Sequence, residues 1–339
     1  MKAEARYRVS VVIPTYNRRH HVERLLRAIS AQTLSAAEFE VIVSIDGSDD
    51  GTREIVDEAA APYRLQAIWH PRQGRAAARN AGIGVASGDL LVLLDDDMEP
   101  VPELLHAHLD AHQGSHECVV LGPVPIALDS SSSPITHYLA RMWREQHEAF
   151  ASPEHRFRLR DFYSGNVSLR RELLLRVGGF DESFTTYGNE DRELVIRLLA
   201  TGSRIEYCPA AMAYHHCRKD FAALAADSIS RGRTAVLMAS KHPEFQDEST
   251  LGTYRQWSRK WRLARTVLLE ASGAFGGLPG WVVSVVQRIE RVKPTLIANC
   301  CLFGLDYFFW LGAFSAIREN RARGQGLTAL PRLTRPYKR

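Results

Sequence analysis

The 339-residue sequence lacks a strong charge of one sign, a paired-cysteine motif and any long low-complexity segment. Its formal net charge is only +4, from 43 basic and 39 acidic residues, which excludes a protein that coats nucleic acid. Its five cysteines are odd in number and none is spaced as CxxC, so we expect reduced thiols in a cytoplasmic protein. No apolar segment with a small-residue cleavage site follows Met1, so no secretory signal is expected.

Strand and helix signals alternate in the first part of the chain, whose overall composition is that of a globular protein with about two domains. Short apolar runs predict strands, and apolar residues at helical spacing predict the helices between them. The predicted strands are residues 8–14, 39–45, 65–70, 90–94, 118–124 and 203–208. The predicted helices are residues 21–32, 52–61, 74–87 and 194–200, with loops at 130–134, 161–170 and 176–193. This alternation predicts an α/β fold with a mostly parallel sheet.

After about residue 217 the sequence predicts helices only, so we expect an α/β domain over residues 1–217 and an α-helical region with a basic tail over 218–339. The predicted helices are residues 221–240, 254–273, 281–292 and 295–317. The last is long enough to span a bilayer, but Asn299 and Asp306 interrupt it. A buried or interfacial helix is therefore favoured over a membrane span.

Three polar clusters follow predicted strands, at residues 15–17, 46–50 and 95–97. The carboxyl ends of parallel strands meet at one edge of a sheet, where ligands bind. The last cluster is the run Asp95-Asp96-Asp97. Adjacent carboxylates repel each other, and a hard divalent cation such as Mn²⁺ or Mg²⁺ is their natural partner. A solvated acidic loop is the alternative.

Two further pairs of residues carry side chains suited to catalysis or metal binding. Glu190 and Asp191 stand where a predicted helix begins, so they either cap that helix or supply a general base. His215 and His216 follow a predicted strand, so they are either an ordinary loop or core feature or the source of a metal ligand.

Longer segments resemble a known enzyme family. VSVVIPTYNRRHHVERLLRAISAQT, VIVSIDGSDDGT and GRAAARNAGIGVASGDLLVLLDDDMEP resemble the family 2 glycosyltransferases of the GT-A fold. SGNVSLRRELLLRVGGFDESFTTYGNEDREL is similar to the matching segment of galactosyltransferase-type enzymes. The resemblance covers residues 8–217. It implies a Rossmann-like GT-A nucleotide-diphospho-sugar transferase fold and metal-dependent, inverting sugar transfer in polysaccharide or glycoconjugate biosynthesis.

The resemblance also implies which residues bind the donor. Pro14, Thr15 and Tyr16 match the segment that cradles the nucleotide, and Asp46 matches the acid that bonds the edge of the base. The family's arginine near the diphosphate corresponds to Arg79. The donor would be a UDP-, GDP- or dTDP-linked sugar, because an acid at the base edge suits all three bases.

The same resemblance assigns the metal-binding and catalytic carboxylates. The family's DxD element corresponds to Asp95, Asp96 and Asp97. Its middle acid faces the ribose or diphosphate, and its last acid holds Mn²⁺ or Mg²⁺. Asp191 takes the position of the catalytic base, next to Glu190.

Two positions of the family pattern leave alternatives open. His215 has the family's spacing after a proline and is expected as a metal ligand, with His216 as the runner-up. Ser164, Gly165 and Asn166 are expected to line the donor-sugar or acceptor side, with a plain turn as the alternative.

Other functions are weighed against the transferase. A nucleotidyltransferase would also need acids and a divalent metal, but PTYNRRHH lacks the glycines of a triphosphate loop. A non-catalytic nucleotide-sugar-binding scaffold would not need both Asp97 and Asp191. Ile45 replaces the first acid of the family's DDGS segment but leaves Asp46 in place. No QxxRW segment occurs, which argues against a polymerising synthase with membrane spans.

Two patterns that suggest other chemistry are given simpler interpretations. His108, His112 and His116 recur every four residues on a predicted helix, a spacing that suits zinc. Because apolar residues occupy the buried face, we expect these histidines on the solvated face. Gly82 and Gly84 fall inside a predicted helix, so they do not form a dinucleotide-binding turn.

The near-neutral total charge hides a division along the chain. Residues 1–217 carry 23 basic and 30 acidic side chains, a balance of −7, and residues 218–339 carry 20 and 9, a balance of +11. The basic, aromatic C-terminal region fits a peripheral contact with the inner face of a membrane, or the docking of a lipid-linked hydroxyl acceptor. Ordinary packing with a solvated tail is the alternative.

Overall fold

The computed structural model describes residues 7–114, 117–252 and 257–322. The chain divides into two compact units, with the main boundary after residue 217. Unit 1 comprises Met1–Asp129, Leu139–Thr185 and Glu190–Cys217, and unit 2 comprises Ser130–Tyr138, Thr186–Asn189 and Arg218–Arg339. Two short segments of the first part of the chain thus belong to unit 2. Residues 323–339 of the expected basic tail lie outside the described residues.

Unit 1 contains nine strands in its described residues. They are β1 (Val9–Thr15), β2 (Phe39–Asp46), β3 (Arg64–His70), β4 (Leu90–Leu94), β5 (Met98–Pro100), β6 (Cys118–Leu121), β7 (Asn166–Arg170), β8 (Arg204–Tyr207) and β9 (Ala213–His215). Seven form a sheet in the order β3-β2-β1-β4-β7-β6-β8, while β5 pairs with β9. Only β7 runs against the other six strands of the large sheet. The predicted mostly parallel α/β architecture is confirmed.

Helices cover this sheet, and the central strands are buried because their sequences are nearly continuous apolar runs. The helices up to residue 217 are α1 (Arg19–Ser30), α2 (Thr52–Asp57), α3 (Arg75–Val85), α4 (Leu104–Ala111), α5 (Pro134–Phe150), α6 (Arg171–Arg176) and α7 (Glu190–Ala200). α1 buries the face that its helical spacing predicts. In α3, a Cβ on Gly82 would lie 2.5 Å from Cγ1 of Val12, so this glycine lets the helix approach β1 closely.

The structure corrects two predictions around β7. Residues 166–170 were expected in a loop and form a strand, and His108 and His112 were expected in solvent and are 0% and 1% exposed. The two errors have one cause. The His108 ring contacts Asn166 Oδ1 at 2.9 Å and Ser168 Oγ at 2.8 Å, and His112 contacts Ser168 Oγ at 2.9 Å. Burial lowers the pKa of both histidines to about 4, so they are neutral polar core residues. His116 lies outside the described residues.

Unit 2 is helical, as the sequence predicts. Its long helices are α8 (Phe221–Lys241), α9 (Arg259–Ala274), α10 (Leu278–Val292) and α11 (Ile297–Ala322). The side chains of Asp220 and Ser258 cap the first turns of α8 and α9. The start predicted for the second of these helices, residues 254–256, lies outside the described residues.

α8 and α11 approach each other at glycines. A Cβ on Gly232 would lie 1.9 Å from the Phe309 carbonyl oxygen, and one on Gly312 would lie 2.0 Å from that of Ile229. Only glycine allows backbones this close. The contact buries the aromatic side chains of α11, including Trp310, in a core of unit 2.

The segment Pro294–Ala322 is long and apolar enough to cross a membrane, a property that core helices of soluble proteins share. Half of its most apolar window is buried inside the protein. The carboxylate of Asp306 accepts hydrogen bonds from Arg265 at 2.8 Å and from the Trp310 indole at 3.1 Å. The Asp306 carboxylate is thus paired inside unit 2, and the expected buried or interfacial position of this helix stays a prediction.

The close contact of α8 and α11 leads to a stability prediction. Gly312→Ala should lower the free energy of unfolding by about 1–3 kcal/mol, because the added methyl group meets backbone that must move. Gly273→Ala is the matched control, since a Cβ there meets nothing within 4 Å and alanine favours the helix by up to about 1 kcal/mol. Urea unfolding of both variants checks this, and an unchanged Gly312→Ala would contradict the close contact.

Candidate active site

The carboxyl ends of β1 and β4 bring two of the predicted polar clusters together. The Thr15 hydroxyl donates a hydrogen bond to Asp96 Oδ2 at 2.8 Å. The Arg18 guanidinium lies 3.1 Å from Asp96 Oδ1 and 2.7 Å from Asp97 Oδ2. Arg18 was not among the predicted site residues, although its place in PTYNRR, just after the first strand, is a usable signal. It supplies fixed positive charge between two acids.

The three adjacent aspartates differ in pKa because each has different neighbouring groups. Burial raises the pKa of Asp96 to about 7, with the charge of Asp97 adding to the effect. Burial also opposes ionisation of Asp97, but His215 and Arg18 outweigh it and hold the pKa of Asp97 well below its usual range. The pKa of Asp95 is likewise lowered, because two arginines of α3 offset its burial. Asp95 and Asp97 are therefore anionic at neutral pH.

A buried arginine joins the aspartate run to the second pair of acids. Arg79 is 1% exposed, and its guanidinium donates to Asp95 Oδ1 at 2.8 Å and lies 3.3 Å from Glu190 Oε1. The Phe180 ring lies 5.1 Å from the guanidinium carbon. Arg79 was expected beside the diphosphate. The structure corrects this to a positioning role, because its charge is enclosed by protein and paired with two carboxylates.

Half-exposed Arg75 is a second cation near Asp95, in addition to Arg79. Its Nη1 lies 3.9 Å from Asp95 Oδ2, and its side chain is 39% exposed. Arg75 was not among the predicted site residues, although it is the first residue of α3, within the GRAAARN segment that resembles the family. An arginine at a helix start can meet both a carboxylate and an incoming anion.

Glu190 and Asp191 begin α7, as predicted. Glu190 is buried against Arg79, whereas Asp191 is partly exposed. Burial and the charge of Glu190 raise the pKa of Asp191 to about 6. A carboxylate with this pKa is a stronger base than an ordinary aspartate and is still mostly ionised at neutral pH.

The pairing of β5 with β9 separates the roles of the two adjacent histidines. His215 lies opposite Met98, and its Nε2 is 3.4 Å from Asp97 Oδ1. His216 instead pairs its ring with Glu99, and its backbone N–H donates to the Asp97 carbonyl. The structure thus brings His215, rather than His216, to the aspartate run.

Asp97 and His215 have the properties of metal ligands. Asp97 Oδ1 and His215 Nδ1 are buried and have no hydrogen-bond partner in the described part of the chain. Residues 7–114, 117–252 and 257–322 contain no cluster of three or more His, Cys, Asp or Glu side chains placed to hold a metal ion. Two protein ligands suit Mg²⁺ or Mn²⁺, which take one or two carboxylates together with substrate phosphates.

Two exposed aromatic rings lie near the carboxyl ends of β1 and β3. The Arg72 guanidinium lies 4.1 Å from the centre of the Tyr16 ring. Trp69 is 46% exposed, and its indole N–H donates to the Ser48 carbonyl oxygen. Trp69 was not among the predicted site residues, because an aromatic residue in a strand usually packs inward. Exposed rings at this edge can stack on a planar ligand.

Asp46, the acid expected to contact the base, accepts hydrogen bonds from the backbone. Asp46 is buried, and its two carboxylate oxygens accept the N–H groups of Gln73 and Gly74 at 2.7 and 3.0 Å. This side chain fixes the loop before α3. Pro14 lies within β1, where it is buried. The contacts of Asp46 with the base and of Pro14 with the nucleotide stay predictions.

Of the three residues expected on the sugar or acceptor side, only Gly165 meets the acids directly. Its carbonyl accepts the Asp95 N–H, and a Cβ on it would lie 3.0 Å from Asp95 Oδ2. Ser164 is buried beside it. Asn166 is a correction: it is 0% exposed, and its amide bonds His108 and backbone carbonyls. It therefore stabilises the sheet and is not available to a sugar.

The chain matches two described protein families. Residues 10–178 match the family described as glycosyl transferase family 2. Residues 144–220 match the one described as N-terminal domain of galactosyltransferase. The matches overlap and together take in both acidic groups and the two histidines.

Curated relatives share part of their length with this chain. Validoxylamine A glucosyltransferase of Streptomyces hygroscopicus subsp. jinggangensis is 35% identical over 220 residues, which are 57% of this chain and 52% of that protein. Pre-mycofactocin glycosyltransferase of Mycobacterium tuberculosis is 29% identical over 291 residues, which are 84% of this chain and 57% of that protein. The chain thus spans about half the length of these relatives.

A solved structure shares the fold. The mannosyltransferase PcManGT from Pyrobaculum calidifontis, in complex with GDP-Man and Mn²⁺, matches with a TM-score of 0.60 and 22% identity. The match covers 93% of this chain and 88% of that one. The expected GT-A fold with a helical C-terminal region is confirmed.

The buried arginine gives a second stability prediction. Arg79→Met keeps most of the side-chain volume but leaves Glu190 buried without this cation, so we expect a loss of about 3–5 kcal/mol in the free energy of unfolding. Arg79→Met/Glu190→Gln should recover part of that loss. Arg75→Ala is the control and should cost about 1 kcal/mol or less, since its side chain is half-exposed. Urea unfolding measures all three, and a fully stable Arg79→Met would contradict the assigned role.

Proposed function

The chain belongs to the family 2 glycosyltransferases, and on that basis we propose that it moves a sugar from a nucleotide-diphosphate donor to an acceptor hydroxyl, with inversion. The observation that carries the proposal is the Arg79 bridge between Asp95 and Glu190. Through this bridge, the anionic aspartates that could hold a metal are connected to the start of α7, where Asp191 has a raised pKa. We place the reaction in polysaccharide or glycoconjugate assembly.

The donor end of the proposed site is the edge with Tyr16 and Trp69. Their exposed rings would stack on the nucleobase, and Thr15 would lie beneath the nucleoside. Arg75 and Arg18 would attract the diphosphate, since both present partly exposed positive charge. A GDP-linked donor is supported by the fold neighbour solved with GDP-Man, and UDP- and dTDP-linked sugars stay equal alternatives.

The proposed cofactor is Mn²⁺ or Mg²⁺, held by Asp97 and His215. Bound there, the ion would neutralise charge that develops on the leaving nucleoside diphosphate. Asp95 and Asp96 would complete the anionic surroundings, with Asp96 positioned by the Thr15 hydroxyl. The Mn²⁺ in the fold neighbour supports this assignment.

Asp191 is the proposed general base. It would accept the proton of the acceptor hydroxyl while that oxygen forms a bond to the anomeric carbon of the donor sugar. The bond from that carbon to the diphosphate oxygen breaks in the same step, and the nucleoside diphosphate leaves with the electron pair. One displacement inverts the anomeric centre. Glu190, fixed by Arg79, keeps the pKa of Asp191 raised and so strengthens it as a base.

Binding of a nucleoside diphosphate together with Mn²⁺ tests the assignment of His215 as a metal ligand. Mn²⁺ together with GDP, UDP or dTDP should raise the Tm of the full chain for at least one nucleotide, because a ligand at a hundredfold excess over Kd stabilises by about 2.7 kcal/mol. His215→Ala should lose the part of the shift that depends on Mn²⁺. His216→Ala is the matched control and should keep it. Equal shifts in the two variants would contradict His215 as the ligand.

The base assignment predicts a pH dependence. Because the pKa of Asp191 is about 6, kcat/KM for transfer should fall about tenfold per pH unit below that pH and level off above it. Asp191→Asn should lower kcat at least about a hundredfold while keeping the nucleotide-induced Tm shift. Release of nucleoside diphosphate, followed over pH 4–9 with acceptor present, measures both. Full transfer by Asp191→Asn would rule out this base.

A further inference from the structure

The turn between α9 and α10 in unit 2 presents exposed aromatic side chains. Phe275 is 70% exposed and Trp281 is 62% exposed. The Leu278 N–H donates to the Phe275 carbonyl, and the Trp281 N–H donates to the Gly277 carbonyl, so both rings belong to one tight corner. We call residues 275–281 the aromatic corner.

The aromatic corner has open space around it and no charge. A Cβ on Gly276, Gly277 or Gly280 would meet nothing within 4 Å in the described part of the chain. The sequence from 271 to 287 contains no Asp, Glu, Lys or Arg. Large exposed aromatic groups in an uncharged segment are unusual at a surface that faces only water.

Basic side chains stand behind the aromatic corner. Arg288, Arg291 and Lys293 follow it along α10 and are exposed, and none has an ion pair with a carboxylate of the described residues. Glu290 among them accepts the backbone N–H of Ile135 and is partly buried. Residues 257–322 together carry nine basic and four acidic side chains. The surroundings of the corner are thus positive.

We propose that the aromatic corner inserts into the interfacial layer of an anionic lipid membrane, with Arg288, Arg291 and Lys293 at the lipid head groups. Phe and Trp side chains are favoured at this depth, and basic residues attract anionic lipids. The chain would then be a peripheral protein of the cytoplasmic leaflet, where anionic lipids are enriched. This proposal does not depend on the proposed sugar transfer.

The distance from the aromatic corner to the first charged residues matches the depth of the interfacial layer. At a rise of about 1.5 Å per residue, the first charges, Glu270 before Phe275 and Arg288 after Trp281, stand roughly 7 and 10 Å from the corner along their helices. Interfacial helices bury their apolar face about 5–10 Å into the head-group boundary. The corner can therefore reach this layer before any charged side chain enters it.

Charge also favours a membrane over a second copy of the chain. A two-fold dimer would place the same positive surface against itself, so its basic side chains would repel each other. Anionic head groups complement that charge. We therefore commit to the membrane as the occupant, and a dimer becomes an outcome of the test.

Vesicle sedimentation of the full chain tests the proposal without donor or acceptor, so its result is separate from any result on sugar transfer. The chain should sediment with vesicles that contain phosphatidylglycerol and should bind pure phosphatidylcholine at least about tenfold more weakly. Phe275→Ser/Trp281→Ser and Arg288→Gln/Arg291→Gln/Lys293→Gln should each weaken binding at least about tenfold. Leu175→Ser, at an exposed leucine of α6, is the control and should bind like the wild type.

A fluorescence measurement locates the corner. Lipids brominated near the head group should quench the wild-type chain more than Trp281→Phe, because Trp281 reaches the interface. Thermal melts verify that each variant folds. Failure of the wild type to bind anionic vesicles, or unchanged binding of Phe275→Ser/Trp281→Ser, would overturn the proposal. The proposal would also be overturned if the wild type were a dimer by light scattering, did not bind vesicles, and became a monomer in Phe275→Ser/Trp281→Ser.

Discussion

The arrangement of acids in unit 1 depends on one buried cation, the guanidinium of Arg79. It joins three elements that are distant in sequence: α3, which carries it, the end of β4 at Asp95, and the start of α7 at Glu190. A buried charge is tolerated only when it is paired, so these elements must meet for the core to close. The same contact that stabilises unit 1 thereby fixes the start of α7, where Asp191 follows Glu190, relative to Asp95, so the energetics of folding and the geometry of the site have one origin.

The balance of charge around Arg79 explains why the edge of the sheet suits a divalent cation. Three guanidiniums, from Arg18, Arg75 and Arg79, face the carboxylates of Asp95, Asp96, Asp97 and Glu190, and the Arg192 guanidinium acts on Asp191. With every group ionised, these five carboxylates exceed the four guanidiniums by one negative charge. Burial raises the pKa of Asp96 and of Asp191, which reduces this excess while no cation is near. A divalent ion would favour the ionised forms of these acids, so protonation and metal binding oppose each other here.

The sequence predicted those elements of the structure that depend on local periodicity or on the order of strands along the chain. The parallel strands, the buried face of α1 and the acids at the strand ends follow from apolar periodicity and from the rule that strand ends share an edge. β7 could not be predicted this way, because Asn166 and Ser168 are polar and their buried side chains are satisfied by distant partners, including His108 and His112. Arg79 was misplaced for a similar reason: its carboxylate partners lie 16 and 111 residues away. Polar pairs between distant segments leave no periodic signal.

Unit 2 shows why apolar sequence alone does not identify a surface for lipid. Its most apolar helix, α11, owes that composition to packing, since Gly312 brings it onto α8 and Arg265 pairs with Asp306 inside the unit. A carboxylate neutralised by a fully buried arginine belongs to a protein core. The corner between α9 and α10 is less continuous in hydropathy, because glycines and a proline interrupt it. It nevertheless leaves Phe275 and Trp281 exposed, and basic side chains begin at Arg288, directly after the uncharged segment. Exposure and the position of charges, rather than total hydropathy, are therefore the grounds for placing the proposed lipid contact at the corner and not along α11.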